Sequence, residues 1–159
     1  PGVNQLGRLS KTPGLAYEQA NVAPNSTLPV QEIGYNYRVS FDIDGTKEAM
    51  GTELFRSQDA VFYLSDPISG MLGFARDGYL NTFTYNVQPG QRMNIAIEGD
   101  NKATRLFING KQVEELNIQE RWMDKEGKSR MRNVRTLVFP LEKAGNFQSK
   151  ITNLKVWQK

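Results

Sequence analysis

The 159-residue chain contains no cysteine and no histidine. The first absence removes disulfides, thiol nucleophiles and thiolate metal sites together. The second removes Ser-His-Asp and Cys-His catalysis within the chain, along with the usual imidazole ligands of catalytic zinc. Charge of one sign is scarce too. Lys and Arg number 20 against 17 Asp and Glu, a net +3, too small a bias to specify nucleic acid or a membrane surface. No apolar run approaches the roughly 20 residues of a membrane span, and no signal peptide is present. A cysteine-free domain fits the cytosol, but secreted bacterial domains also do without, so composition leaves the compartment open. The chain begins Pro1-Gly2 without an initiator Met and reads as a fragment of a longer protein or a processed product.

Hydrophobic residues make up 38% of the chain and aromatics 10%, enough for a packed core and normal for a sandwich with one wet face per sheet. The length fits one domain. Residues 1–34 are polar and punctuated by Pro13, Gly14, Pro24 and Pro29. They read as a lead-in segment of the same domain with one or two short strands, the best of them at Leu15-Ala16-Tyr17. The sandwich core is expected over 35–159.

The first strong signal runs from Tyr35 to Asp44, where Tyr35, Tyr37, Val39, Phe41 and Ile43 alternate with polar residues. That period belongs to a strand with one buried face; a helix would scatter these side chains round its circumference. Short strands follow at Glu53 to Ser57, Ala60 to Ser65, Met71 to Ala75, Tyr79 to Val87, Arg92 to Glu98, Ala103 to Ile108 and Lys111 to Glu114. Asp66-Pro67, Asp77-Gly78, Pro89-Gly90, Asp100-Asn101 and Asn109-Gly110 mark the turns. Gln119 to Asn133 is charged and poor in large apolar groups, so it reads as a long loop. Strands resume at Val134 to Pro140 and at Gln148 to Trp157. The pattern predicts an all-β fold, an antiparallel two-sheet sandwich of jelly-roll type.

Several of these segments resemble the concanavalin A-like (laminin-G-like) domains. Tyr37-Arg38-Val39-Ser40-Phe41-Asp42-Ile43 is similar to their early core strand. Arg92 to Ile97, followed by Thr104 to Lys111 with Asn109-Gly110, resembles their paired strands ending in an Asp/Asn-Gly turn. Phe147 to Trp157 resembles their closing strand, with Ser149 where glycine is usual. Met93-Asn94 stands where the family often has Trp and His. The wording of the chain further resembles the module at the C-terminal end of bacterial family 20 β-hexosaminidases. That resemblance implies a non-catalytic accessory module of a secreted glycoside hydrolase, periplasmic or extracellular and monomeric. Its partner would be carbohydrate or the parent protein's catalytic domain.

Candidate chemistry follows from the resemblance and the residues together. Laminin-G-like domains often hold one calcium at the sandwich rim; no cofactor is required, but Asp66, Asp77, Asp100 and Asn101 lie at predicted turns where they could contribute to such a site. Sugar modules stack pyranose rings on exposed aromatic faces. Trp122 suits this, lying in a polar segment among Arg121, Asp124 and Lys125, although an indole can equally cap a sandwich edge. Tyr79 and Tyr85 are further candidates that also suit a core position beside Phe83. Asp42 and Asp44, two apart on a strand, share one outward face. With a more distant Glu53 or Glu98 they make up the alternative, a glucanase-type hydrolase. Thr46, however, stands where that pattern would place a third acid, and Asp beside Gly45 is also an ordinary turn residue. The basic residues Arg121, Lys125, Lys128, Arg130, Arg132 and Arg135 are interleaved with Glu120, Asp124 and Glu126. With Trp122 as the sole aromatic among them they do not make a nucleic-acid platform. They read as a solvated loop, or as the docking surface of a protein-interaction domain.

Overall fold

The computed structural model describes residues 14–28, 37–57, 60–76, 79–100, 103–117, 119–133 and 142–158, with only the backbone of 76, 79, 117, 119–122 and 130–133. Among them every regular element is a strand. These are β1 (Leu15–Val22), β2 (Tyr37–Asp44), β3 (Thr52–Arg56), β4 (Ala60–Ser65), β5 (Gly73–Arg76), β6 (Tyr79–Thr82), β7 (Arg92–Gly99) and β8 (Ala103–Ile108). The chain continues through β9 (Lys111–Asn117), β10 (Gln119–Met123), β11 (Ser129–Asn133), β12 (Lys143–Ala144) and β13 (Lys150–Gln158). A six-stranded sheet in the order β1-β13-β2-β7-β8-β9 and a five-stranded sheet in the order β12-β3-β4-β5-β6 form an antiparallel β-sandwich.

The alternation read in the sequence is what fills the space between the sheets. Tyr37, Val39, Phe41 and Ile43 of β2 are all buried, as are Met93, Ile95 and Ile97 of β7 and Ile151, Leu154 and Val156 of β13. The other sheet answers with Leu54, Phe55, Phe62, Leu64 and Phe74. Phe41 meets Phe55 edge-on at a centroid distance of 6.3 Å, joining the two layers. Both sheets keep a second face outward, so the modest apolar fraction suffices.

The lead-in contributes more than a fragment of strand. β1 is eight residues long and pairs with β13 from Leu15↔Trp157 to Val22↔Ile151. Its alternation is hard to read because Gln19 takes a core-facing position, accepting from the Tyr17 hydroxyl and donating to the Asn21 carbonyl. Tyr79 to Val87 is regular only as far as Thr82. Beyond it the pairing continues irregularly, with Phe83 donating to the Leu72 carbonyl at 2.8 Å and Leu72 to that of Tyr85 at 3.0 Å. The unusual Ser149 is buried and its hydroxyl accepts from the Thr46 amide at 3.0 Å, a role glycine could not take.

One expectation is corrected. Gln119 to Asn133 is not a loop but the β10–β11 hairpin, a separate two-stranded sheet in register from Gln119↔Asn133 to Met123↔Ser129. Asp124 closes its turn, its carboxylate accepting from the amides of Glu126 and Lys128 at 3.0 and 2.8 Å, with Gly127 in the left-handed region at φ 77°. This ribbon belongs to neither sandwich sheet, and its sequence carries no alternation of apolar and polar residues. The expected strand at Val134 to Pro140 lies, up to Leu141, outside the described residues.

Candidate functional site

The outer face of the six-stranded sheet is set by register. Inward residues of β2 fix their neighbours outward, so Arg38, Ser40, Asp42 and Asp44 must share one side. The ladder places Trp157, Arg38, Glu98, Arg105 and Glu115 opposite one another across β13, β2, β7, β8 and β9. The next row is Lys155, Ser40, Ala96, Phe107 and Gln112. Below it stand Thr152, Asp42 and Asn94, then Lys150, Asp44 and Arg92.

Two features organise this face. The Arg38 guanidinium lies 5.2 Å from the ring centroid of Phe107 and 5.7 Å from that of Trp157, and Nη1 donates to Glu98 Oε1 at 2.7 Å. A planar cation between two rings is held by the ring quadrupoles, and its carboxylate partner fixes its orientation. Arg38 thus reaches across the second row, where the small residues Ser40 and Ala96 are buried even though they face outward.

Beside this stack, Asp42 is the acceptor of an amide cluster. Asn94 Nδ2 donates to Asp42 Oδ1 at 3.0 Å and Asn153 Nδ2 to Oδ2 at 2.8 Å. Asn153 reaches it because it sits at φ 53° in an irregularity of β13 between Thr152 and Lys155. Arg92 bridges Asp42 and Asp44 at 3.6 and 3.2 Å. Partial burial alone would raise the Asp42 pKa. The hydrogen bonds of Asn153 and Asn94 and the charges of Arg92 and Lys155 outweigh it and hold the carboxyl below its ordinary value. An acid held ionised is the opposite of what a glycosidase proton donor requires. Nor do the other acids named from the sequence complete a pair. Glu98 is engaged by Arg38, and Glu53 lies in the other sheet with both oxygens on Arg56, at 2.7 and 2.5 Å.

The remaining residues named from the sequence fall in separate places. Asp66 is buried at the end of β4, and its carboxylate ties the following loop. Oδ1 accepts from the amides of Ile68 and Ser69 at 2.8 and 2.7 Å; Oδ2 accepts from the Ser69 hydroxyl and, at 3.2 Å, from the Met71 amide. Asp100 closes the β7–β8 turn, accepting from the Ala103 amide and from Arg105, both at 2.9 Å. Both carboxylates thus face N–H or O–H donors, and Asp100 is paired with a guanidinium as well. Asp77 and Asn101 lie outside the described residues, and among the described ones no three acidic side chains converge. Tyr85 packs against the core, its hydroxyl donating to Met93 Sδ at 3.1 Å, and burial pushes its pKa up. Tyr79 opens β6 and Trp122 lies in β10 opposite Arg130; their side chains are outside the described residues.

Arg38, Phe107, Trp157, Asn94 and Asn153 were not singled out by sequence. Their one signal is that outward positions of alternating strands carry Arg, Asn and aromatic residues where Lys, Glu and Thr would serve a plain solvated face. Only the strand order 13-2-7-8 brings them together.

No family model and no curated protein sequence matches the chain. Solved structures do. A galectin of Caenorhabditis elegans, LEC-6, superposes with a TM-score of 0.53 at 14% identity, over 87% of this chain and 94% of the galectin. Domain 4 of AbnA, a GH43 extracellular arabinanase of Geobacillus stearothermophilus solved in complex with arabinotriose, gives 0.51 at 13% identity, over 89% of this chain and 66% of that one. At these identities the likeness establishes the fold, a β-sandwich shared with this galectin and this arabinanase domain.

Proposed function

We propose that the chain is a non-catalytic carbohydrate-binding module whose ligand surface is the outer face of the six-stranded sheet. The observation that carries this reading is the Phe107–Arg38–Trp157 stack standing beside the Asp42–Asn94–Asn153 cluster. A pyranose or furanose ring offers an apolar face for the aromatics and hydroxyls that both donate and accept. Amides and a carboxylate locked in place by one another meet those hydroxyls without first having to be ordered. The fold likeness to a galectin and to an arabinanase domain holding arabinotriose supports the same class of ligand.

On the sequence resemblance, we further place the module beside the catalytic domain of a secreted glycoside hydrolase of the β-hexosaminidase kind, acting as a monomer outside the cytoplasm. Its work there is to hold the enzyme against glycan while the catalytic domain supplies the chemistry. The glucanase alternative is disfavoured because the ionised Asp42 finds no proton donor among the acids named with it: Glu98 is held by Arg38 and Glu53 lies in the other sheet on Arg56.

A glycan array probed with the chain, and repeated with Trp157→Ala and Asn94→Ala, tests the proposal. Binding that both substitutions weaken by about tenfold or more, the worth of one or two lost contacts, is the expected result. Binding that neither changes would move the ligand surface elsewhere, and a blank array with a folded protein would remove the function.

A further inference from the structure

At the opposite sheet, a cleft of about 520 Å³ opens along β12 and β3. It is walled by the turn around Asn25, the loop from Glu48 to Glu53, and residues 143–148. The floor is held close by Gly145, whose amide donates to the Leu54 carbonyl at 3.0 Å. A Cβ on Gly145 would come within 1.9 Å of the Glu53 carbonyl oxygen, so this approach of two backbones requires glycine.

The charged residues lining the cleft, Glu48 and Glu53 against Arg56 and Lys143, sum to zero but pair unevenly. Lys143 and Arg56 face each other directly across β12 and β3, and both line it. Like charges directly opposed on a sheet are destabilising unless an anion lies between or beside them. Glu53 is that anion for Arg56, brought to the same side by the irregular pairing of β3 with β4, and its two oxygens grip the guanidinium. Glu48 is spent on backbone, accepting from the Gln148 amide at 3.0 Å and from the Ser149 amide at 2.8 Å. Lys143 is left exposed, with no ion-pair partner among the described residues. Next to it, Asn25 Nδ2 donates to Asn146 Oδ1 at 3.0 Å, which leaves the Asn146 amino group and the Asn25 carbonyl free to meet hydroxyls.

We propose that this cleft is a second binding site, separate from the sheet face, for a sugar that carries a carboxylate, such as a hexuronate. The carboxylate sits against Lys143 and the outer edge of the Arg56 guanidinium, and the ring hydroxyls exchange hydrogen bonds with the Asn25–Asn146 amide pair. A volume of this size holds one or two sugar rings. The site does not rest on the sheet-face reading, because it uses none of the same residues.

The test is an amide-resolved NMR titration of the chain with D-galacturonate and D-glucuronate, with D-galactose and acetate as controls, repeated on Lys143→Gln. The expected result is shifts at the amides of Arg56, Lys143 and Asn146 with a uronate and not with galactose. Acetate should bind more weakly, and Lys143→Gln should weaken uronate binding about tenfold, as expected for one charge-assisted hydrogen bond. Since Lys143 is exposed, an otherwise unchanged spectrum establishes that the variant is folded. Uronate shifts confined to Asp42, Asn94 and Trp157, equal binding of galactose or acetate, or no shifts at all would each overturn the proposal. Neutral glycans on an array bear on the sheet face alone, so either reading can fail while the other stands.

Discussion

Asp42 lies directly across β2 and β7 from Asn94, and the Asn94 amide donates to its Oδ1 at 3.0 Å. With Asn153 on the other oxygen, one carboxylate draws β13, β2 and β7 together on the outer face while staying ionised. Held ionised in this way, Asp42 is a fixed hydrogen-bond acceptor on the face and is the wrong form for a glycosidase proton donor.

Asp42→Asn should therefore cost binding and flatten the acid dependence of stability together. The folded-state pKa of Asp42 lies below its ordinary 3.8, so the unfolded chain takes up the proton first as pH falls. Its contribution to stability is present above that value and disappears as pH drops through the folded pKa. Thermal melts of the wild type should lose stability below about pH 4 more steeply than those of Asp42→Asn, and glycan affinity should fall in the variant at neutral pH.

Asp66 calls for the same sign with a structural outcome. Its folded pKa is lowered: burial alone would raise it, but the Ser69 hydroxyl and the amides of Ser69, Ile68 and Met71 outweigh that. Asp66→Ala removes the acceptor of four N–H and O–H donors of the loop and should destabilise the fold by about 1–3 kcal/mol, read from urea denaturation. Asp66→Asn keeps one acceptor oxygen and should recover part of the loss. Sugar binding on the sheet face should be unchanged in both as long as the protein is folded.

The sequence carried the architecture because alternation reports one buried face. Ala60 to Ser65 and Ala103 to Ile108 are strands with the expected bounds, and the strand expected from Tyr35 to Asp44 is present over Tyr37–Asp44, residues 35 and 36 lying outside the described ones. It carried little of the site, since the site is on the faces that alternation leaves undetermined. Trp157 and Phe107 are 50 residues apart and come within reach of Arg38 only through the strand order. Turn chemistry was legible where Asn109 and Gly110 adopt positive φ and where Asp66 and Asp100, expected at turns, accept from the backbone amides of their own loops. The hairpin at Gln119–Met123 and Ser129–Asn133 was hidden because its sequence is charged and shows no apolar alternation, and its ribbon is a sheet separate from the two of the sandwich.

Gly145→Ala tests the close approach on which the β12 edge depends. The added methyl would meet the Glu53 backbone at 1.9 Å, a contact that flexible side chains cannot relieve. The strand must separate from β3, breaking the bond from the Gly145 amide to Leu54. A loss of about 1–3 kcal/mol is expected. Hydrogen exchange should rise first at Ala144, Gly145 and Leu54 while the amides of β2 and β7 stay protected.

Arg38→Lys distinguishes a stacked guanidinium from a simple charge. Lysine keeps the positive charge and can still reach Glu98, so an account in which Arg38 serves only that ion pair, formed at 2.7 Å, predicts little change. The geometry favours a larger effect. The guanidinium carbon lies over both the Phe107 and the Trp157 ring, at 5.2 and 5.7 Å from their centroids, and a compact, strongly hydrated ammonium on a flexible stem does not replace it there. Freed of the guanidinium, the Trp157 indole should become more mobile and more solvated. Its fluorescence should shift to the red and become easier to quench with acrylamide. Glycan affinity should fall by a factor comparable to that of Trp157→Ala, with the melting temperature moving by only a few degrees, because exposed ion pairs contribute little to stability. Unchanged fluorescence with unchanged affinity would mean that the stack is a passive feature of the face and not the element that orders it for sugar.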